Sequence, residues 1–189
     1  TYDYFTREAF GLLTTGRARQ AFDLEQEPAR VRDRYGRNPW GRCTLLARRL
    51  VEAGVPYINV IWNHSNRGQD DQPDDTDLYG WDTHNEGQLK QHLLIEELDK
   101  AFATLVTDLE KNKKLDTTLV VVATEFGRPP EFDAGGGRGH QSDGFSMVLA
   151  GGGLKMGQVI GETDPRAAYP TTSPTSPTDV LATMYHQMG

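Results

Sequence analysis

The chain has 189 residues, 37% of them hydrophobic and 25% charged, which is the composition of an ordinary globular domain with enough length to bury a core. The formal net charge of −7 argues against a general nucleic-acid surface. No apolar run approaches the roughly 18 residues that a membrane span needs. Cys43 is the only cysteine, so an internal disulfide is excluded and the redox compartment stays open.

Helices are predicted in the first third of the chain, because apolar residues recur at helical spacing over residues 4–16, 18–34 and 42–53. Pro28 is expected to break or kink the second helix, since proline lacks the amide hydrogen that a helix interior uses. Gly54 stands where a helix commonly ends in a left-handed glycine.

The helix over residues 42–53 carries two further predictions. Its basic residues Arg42, Arg48 and Arg49 are expected to form a solvated face rather than a nucleic-acid surface. Cys43 falls on the apolar stripe of the helix and is expected to lie in the core. Cys43 is therefore not predicted to be a nucleophile.

A strand, a loop and a long helix are predicted in the middle of the chain. Residues 55–62 are a strand candidate in which Pro56 is allowed only near the start. The acidic segment 63–79 is predicted to be a solvated or disordered loop, because it lacks the ligand spacing of a calcium loop. Asn85 is expected to cap the next helix, which an apolar stripe extends to about Asn112.

Residues 117–123 are apolar on both faces, which is typical of a central strand covered on both sides in a parallel sheet. With the strand over residues 55–62 they predict one right-handed crossover unit. Further short strands are expected over residues 145–150 and 158–160, and a last helix is expected to begin near Ser176. The fold class is therefore predicted to be α/β, with a mixed, mostly parallel sheet flanked by helices.

Three short polar islands lie in turn-like settings, at residues 80–84, 124–128 and 137–140. In open parallel sheets, ligands bind beyond the carboxyl ends of the strands, so the first two islands are expected to face one crevice. The third island is a glycine-rich loop, in which the backbone is able to approach a ligand closely.

The predicted metal ligands in these islands are Asp82, His84, Glu125 and His140. Carboxylates supply anionic oxygens and histidines supply neutral nitrogens, a set that suits a divalent metal without distinguishing zinc, manganese, iron or calcium. A metal at such a site polarises a phosphoryl or sulfuryl oxygen. Arg128 and Arg138 are predicted to bind an anionic group in bidentate fashion.

Each island also has a purely structural interpretation. Asp82 and His84 are able to cap a helix, and Glu125 is able to pair with Arg128. His140 alone is able to form a hydrogen bond within its loop. If the islands are ordinary turns, their carboxylate and imidazole groups are expected to lie far apart.

Six short segments form a motif set that is specific as a whole. They are Asp33-Arg-Tyr-Gly-Arg, Leu46-Ala-Arg-Arg-Leu-Val-Glu-Ala-Gly-Val, Gly80-Trp-Asp-Thr-His-Asn, Glu125-Phe-Gly-Arg-Pro-Pro, Gly137-Arg-Gly-His and Ala150-Gly-Gly-Gly-Leu. Over roughly residues 17–189 this set resembles the DUF1501 proteins, a sulfatase-like branch of the alkaline phosphatase superfamily. The resemblance implies that the chain is the C-terminal part of a longer single domain. It also implies an exported or periplasmic protein, because many members of the family carry a twin-arginine export signal.

The resemblance further implies a site for one or two metals at the carboxyl edge of an α/β sheet. Asp82 and His84 match the first ligand pair of the family, and Glu125 matches the acidic member of the second. His140 matches a late histidine, whereas Phe126 stands where the hydrolases often place another histidine. The superfamily hydrolases also carry a Ser, Thr or formylglycine nucleophile in the N-terminal half of the domain, and no such segment is visible in this sequence.

The predicted function is hydrolysis of a sulfate or phosphate ester in an anionic small molecule or glycan, with the help of a divalent metal. The alternative is a non-catalytic sulfatase-like scaffold that binds an anionic glycan or a protein partner, which the missing nucleophile and Phe126 favour. The sequence identifies neither the substrate, nor the metal, nor the oligomeric state.

Overall fold

The computed structural model describes residues 16–62, 81–83 and 91–189, together with isolated positions between residues 4 and 11. The chain divides into two compact units. The first unit comprises Thr1–Trp62 and Glu96–Asn112, and the second comprises Asn63–Ile95 and Lys113–Gly189. The prediction that the chain belongs to one longer domain stays a prediction.

Helices build the described part of the first unit. They are α1 (Gly16–Ala21), a short 3₁₀ turn (Leu24–Gln26), α2 (Ala29–Tyr35), α3 (Pro39–Ala53) and the greater part of α4 (Gln91–Lys111). The helix predicted over residues 18–34 is thus divided into three pieces. The second of the two breaks falls at Pro28, as predicted, because this residue precedes the first turn of α2.

Helix α3 shows why its sequence is helical. The Asn38 side chain accepts a hydrogen bond from the Gly41 amide at 2.7 Å, and Pro39 occupies the first turn, where no amide hydrogen is needed. Gly54 ends the helix in the left-handed conformation, with φ of +90°. The helix predicted over residues 42–53 and its terminal glycine are confirmed, and the helix begins three residues earlier than predicted.

Arg48 on α3 corrects the prediction of a solvated basic face. Its side chain is only 8% exposed and pairs with Glu27 and Glu52, each at 2.5 Å. Although burial alone would lower the pKa of Arg48, the carboxylates of Glu52 and Glu27 raise it. Arg49 pairs with the same Glu27 oxygen at 2.6 Å, so one carboxylate joins two arginines of α3 to the segment before α2.

Cys43 corrects a second prediction, because it is exposed rather than in the core. Cys43 is not among the residues that α3 buries, which include Leu45 and Ala47. The other buried apolar residues of this unit are Ala21, Tyr35, Trp40, Ala101, Leu105 and Leu109. The apolar spacing therefore identified the helix, whereas the core position predicted for Cys43 is wrong.

Two antiparallel strand pairs build the second unit. Strands β1 (Leu119–Val122) and β2 (Val148–Gly151) pair in the register Leu119↔Gly151. Strands β3 (Glu162–Thr163) and β4 (Pro170–Thr172) form the other pair. The chain continues into α5 (Pro177–Met188), where a capping box between Ser176 and Asp179 confirms the predicted helix start.

The fold-class prediction of a mostly parallel sheet flanked by helices is wrong. The described residues hold five α-helices and two antiparallel two-stranded sheets. Residues 55–62 and 158–160 form no strand in this part of the chain. The strand predicted over residues 117–123 exists as β1, but its partner is the antiparallel β2, because an apolar run fixes neither the direction nor the identity of its neighbour.

Several predictions lie outside the described residues. They are the acidic loop over residues 63–79, the Asn85 cap and most of the helix over residues 4–16. Among the helices that the structure describes, none combines the length and apolar character needed to cross a membrane.

Candidate functional site

The first and third islands meet in the second unit through Asp82. Its Oδ1 lies 3.0 Å from Nε2 of His140, although the two residues are 58 positions apart in the sequence. The side chain of Asp82 is 21% exposed and that of His140 is 45% exposed. An ionised carboxylate only accepts hydrogen bonds, so this contact is a hydrogen bond in the tautomer that carries its proton on Nε2 of His140.

Arg128 of the second island joins the other two islands. Its Nη2 lies 2.7 Å from Oδ1 of Asp82 and donates to the Trp81 carbonyl at 3.3 Å. Its Nη1 donates to the carbonyl of Arg138 at 2.8 Å and to that of Gly139 at 3.4 Å. The guanidinium group therefore connects both sides of the cluster. Its N–H donors point in several fixed directions, which the compact ammonium group of a lysine does not provide.

Backbone contacts bring the second and third islands together. Gly127 and Gln141 exchange two hydrogen bonds, at 2.8 and 3.0 Å, in an isolated antiparallel bridge. Only glycine fits here, because a Cβ atom on residue 127 would lie 1.9 Å from the carbonyl oxygen of Gly144. The amide of Arg138 also donates to the carbonyl of Thr83 at 2.5 Å, and Thr83 is fully buried.

Phe126 forms one wall of this cluster. Its ring lies 4.1 Å from the His140 ring, measured between centroids, with an interplanar angle of 31°. The Arg128 guanidinium carbon lies 5.4 Å from the centroid of the same ring. Phe126 thus packs against the imidazole ring of His140 and beside the guanidinium group of Arg128.

Arg138 contributes through its backbone and through a partly buried side chain. Its guanidinium carbon lies 4.4 Å from the centroid of the Phe132 ring. Its Nε atom is buried and has no hydrogen-bond partner among the described residues. A buried donor without a partner is costly, and a bound anion is one group that would satisfy it.

The remaining predicted ligands are not brought into this cluster by the described residues. Glu125 is exposed, and His84 lies outside the described part of the chain. No group of three or more His, Cys, Asp or Glu side chains placed to hold a metal is present among residues 16–62, 81–83 and 91–189. The four-ligand metal site therefore stays a prediction, with Asp82 and His140 as its two described members in contact.

Sequence reasoning assigned the polar groups of the islands but missed the residues that hold them together. Thr83, Gln141 and the structural role of Arg128 were not predicted. A signal was present at Thr83, which stands between two predicted ligands. Gln141 directly follows the third island and also donates a side-chain hydrogen bond to the Ala168 carbonyl.

The two units define an α+β protein with a cluster of one carboxylate, one imidazole and one guanidinium group in its second unit. A family model described as "Protein of unknown function (DUF1501)" matches residues 1–189, and the chain belongs to this family. No curated protein and no solved structure matches the chain. The family predicted from the six sequence segments is confirmed.

Proposed function

We propose that the chain supplies the metal-binding part of a sulfatase-like hydrolase that acts on a sulfate or phosphate ester. The observation that carries the proposal is the 3.0 Å contact between Asp82 Oδ1 and His140 Nε2. The chain belongs to the DUF1501 family. The resemblance of its sequence segments to the sulfatase-like branch of the alkaline phosphatase superfamily supports the proposal.

The donor types, a carboxylate oxygen and an imidazole nitrogen, suit a divalent metal. Tetrahedral zinc binds such ligands at about 2.0–2.2 Å and so holds them about 3.4 Å apart, which means that Asp82 and His140 would separate slightly from 3.0 Å on loading. Metal binding through Nε2 of His140 would require that this nitrogen carry no proton, because only a free ring nitrogen binds a metal. His84 and Glu125 are the proposed further ligands.

The residues around the pair would bind the substrate anion. A divalent metal at this position would supply Lewis-acid polarisation of the ester oxygen. Arg138 is the favoured anion-binding residue, because its Nε has no partner among the described residues. Arg128 holds Asp82 and the loop carbonyls, so its first role in this proposal is to position the pair.

The experiment measures zinc and manganese binding to the full chain by calorimetry. Asp82→Ala and His140→Ala should each weaken binding at least about tenfold. Asp143→Ala and His186→Ala are matched controls, because both residues are exposed and neither belongs to the cluster. Equal binding by all four variants would contradict the proposed site.

A second function, a non-catalytic scaffold that binds an anionic glycan or a protein partner, is favoured by one observation. Phe126 covers the His140 ring, and so an aromatic wall occupies the place of a ligand. A screen with para-nitrophenyl phosphate and para-nitrophenyl sulfate, with and without added metals, separates the two functions. Hydrolysis that Asp82→Ala abolishes supports the hydrolase, whereas anion binding without turnover in any metal supports the scaffold.

A further inference from the structure

A groove in the first unit combines apolar walls with arginine side chains. It is an open surface groove with a volume of about 340 Å³. A smaller cavity of about 60 Å³ adjoins it and shares Leu24, Arg37 and Arg42 with it. The residues that line the larger groove are Leu24, Arg37, Pro39, Arg42, Cys43 and Leu46.

One face of α3 forms the floor of this groove. Pro39, Arg42, Cys43 and Leu46 follow one another at intervals of three, one and three residues, which places them on the same side of a helix. Cys43 on this side is a residue that the sequence predicts to be buried. The described residues leave this side open, with Cys43 exposed and Leu46 only partly covered.

The charge at the groove is positive, although the chain as a whole carries −7. Arg32 pairs with Glu25, and Arg37 pairs with Asp33 at 2.6 Å. Arg42 lines both cavities and forms no ion pair with any residue that the structure describes, so its positive charge is not neutralised there. The Nε atom of Arg32 is also buried without a hydrogen-bond partner in this part of the chain.

We propose that this groove binds a small amphipathic anion, an alkyl or aromatic body that carries one carboxylate, sulfate or phosphate group. The apolar body lies against Leu24, Pro39 and Leu46, where it removes apolar surface from water. The anionic head pairs with Arg42, whose positive charge has no described counterion. The proposal is independent of the cluster in the second unit.

Cys43 provides a reporter inside the groove, because it is the only cysteine of the chain. Its thiolate attacks an aromatic disulfide, forms a mixed disulfide and releases one aromatic thiolate whose absorbance gives the rate. The rate with an anionic reagent, dithiobis-nitrobenzoate, is divided by the rate with a neutral one, dithiodipyridine. Dividing the two rates cancels differences in the exposure of the thiol.

Arg42→Ala should lower this ratio about threefold at low salt, since the variant removes one exposed charge partner of the anionic reagent. Arg30→Ala is the matched control, because Arg30 is exposed in the same unit and lines neither cavity. Thermal unfolding followed by circular dichroism shows that both variants fold. An equal fall of the ratio in both variants would overturn the proposal, because it would reflect the general charge of the surface.

Protection of Cys43 identifies the class of ligand. Octyl sulfate should slow the neutral reagent more than octanol does, and more than inorganic sulfate does, because it alone offers both halves of the proposed ligand. Leu24→Ser should weaken the protection by octyl sulfate and leave the ratio of the two reagents unchanged. Equal protection by octanol or by inorganic sulfate would contradict an amphipathic anion site.

Discussion

Arg128 and Asp82 form the ion pair on which the geometry of the candidate site depends. Nη2 of Arg128 lies 2.7 Å from the same Oδ1 atom that contacts His140, and both side chains of the ion pair are about one-fifth exposed. The same guanidinium group binds the carbonyls of residues 138 and 139 in the loop that ends at His140. The contact between Asp82 and His140 is therefore held from both sides by one arginine.

Arg128→Ala should destabilise the second unit by roughly 1–3 kcal/mol, because several charge-assisted hydrogen bonds of a partly buried group are lost. Urea unfolding measures the loss, and hydrogen exchange at the Arg138 amide measures the separation of this loop from Thr83. Arg166→Ala is the control, since its partner Glu131 and Arg166 itself are both exposed and the pair is worth at most about 1 kcal/mol. Equal destabilisation by the two variants would contradict the role given to Arg128.

Gly127→Ala should disrupt the bridge to Gln141, because the new methyl group would collide with the Gly144 carbonyl. We expect a loss of about 3 kcal/mol in the free energy of unfolding, the scale of overpacking against rigid backbone. Gly139→Ala tests a glycine of the same cluster that has room for a methyl group. No atom lies within 4 Å of the position of the new Cβ atom, and the φ angle of Gly139 is not positive. It should leave stability unchanged or raise it slightly.

Glu27→Ala should destabilise the first unit by about 3 kcal/mol, because it removes a shared carboxylate from two largely buried arginines. Thermal and urea unfolding measure the change. Asp33→Ala provides the control, since it breaks the fully exposed pair with Arg37 and should cost far less. If Glu27→Ala is at least as stable as Asp33→Ala, the buried ion pairs contribute little to stability.

Acid should weaken the start of helix α5. Hydrogen bonds from the Ser176 side chain and backbone lower the pKa of Asp179 below its ordinary value of 3.8. The folded helix therefore favours the ionised carboxylate. Its stabilising contribution is complete above the ordinary pKa and is lost as the pH falls through the lower pKa that Asp179 has in the folded protein. Amide exchange over residues 177–188 should accelerate, relative to its intrinsic rate, below about pH 4. Ser176→Ala should flatten this dependence.

The local structure of this protein was predictable where a residue forces a local conformation. Pro28, Gly54 and Ser176 each marked a helix boundary correctly, because backbone geometry and capping act over a few residues. The direction of the sheet was not predictable in this way. Strand β1 was identified from its apolar run, but its antiparallel partner depends on a contact between distant segments.

The candidate site was predicted in part, and the reason given for it was incorrect. Asp82 and His140 were expected to meet at the carboxyl edge of a parallel sheet, and no such sheet exists among the described residues. They meet instead because Arg128 and the bridge at Gly127 join their loops. The residue types marked which loops meet, and the chemistry that they predict stays a prediction. The assembly of the loops depends on backbone contacts that carry no sequence pattern.

The most direct test of the central claim is the anomalous scattering from a crystal of the full chain soaked with zinc or manganese. We expect a peak at bonding distance, about 2.0–2.2 Å, from Oδ1 or Oδ2 of Asp82 and from Nε2 of His140. The peak should vanish in His140→Ala crystals and persist in His186→Ala crystals. A soaked crystal with ordered Asp82 and His140 side chains and no peak between them would contradict the proposed metal site.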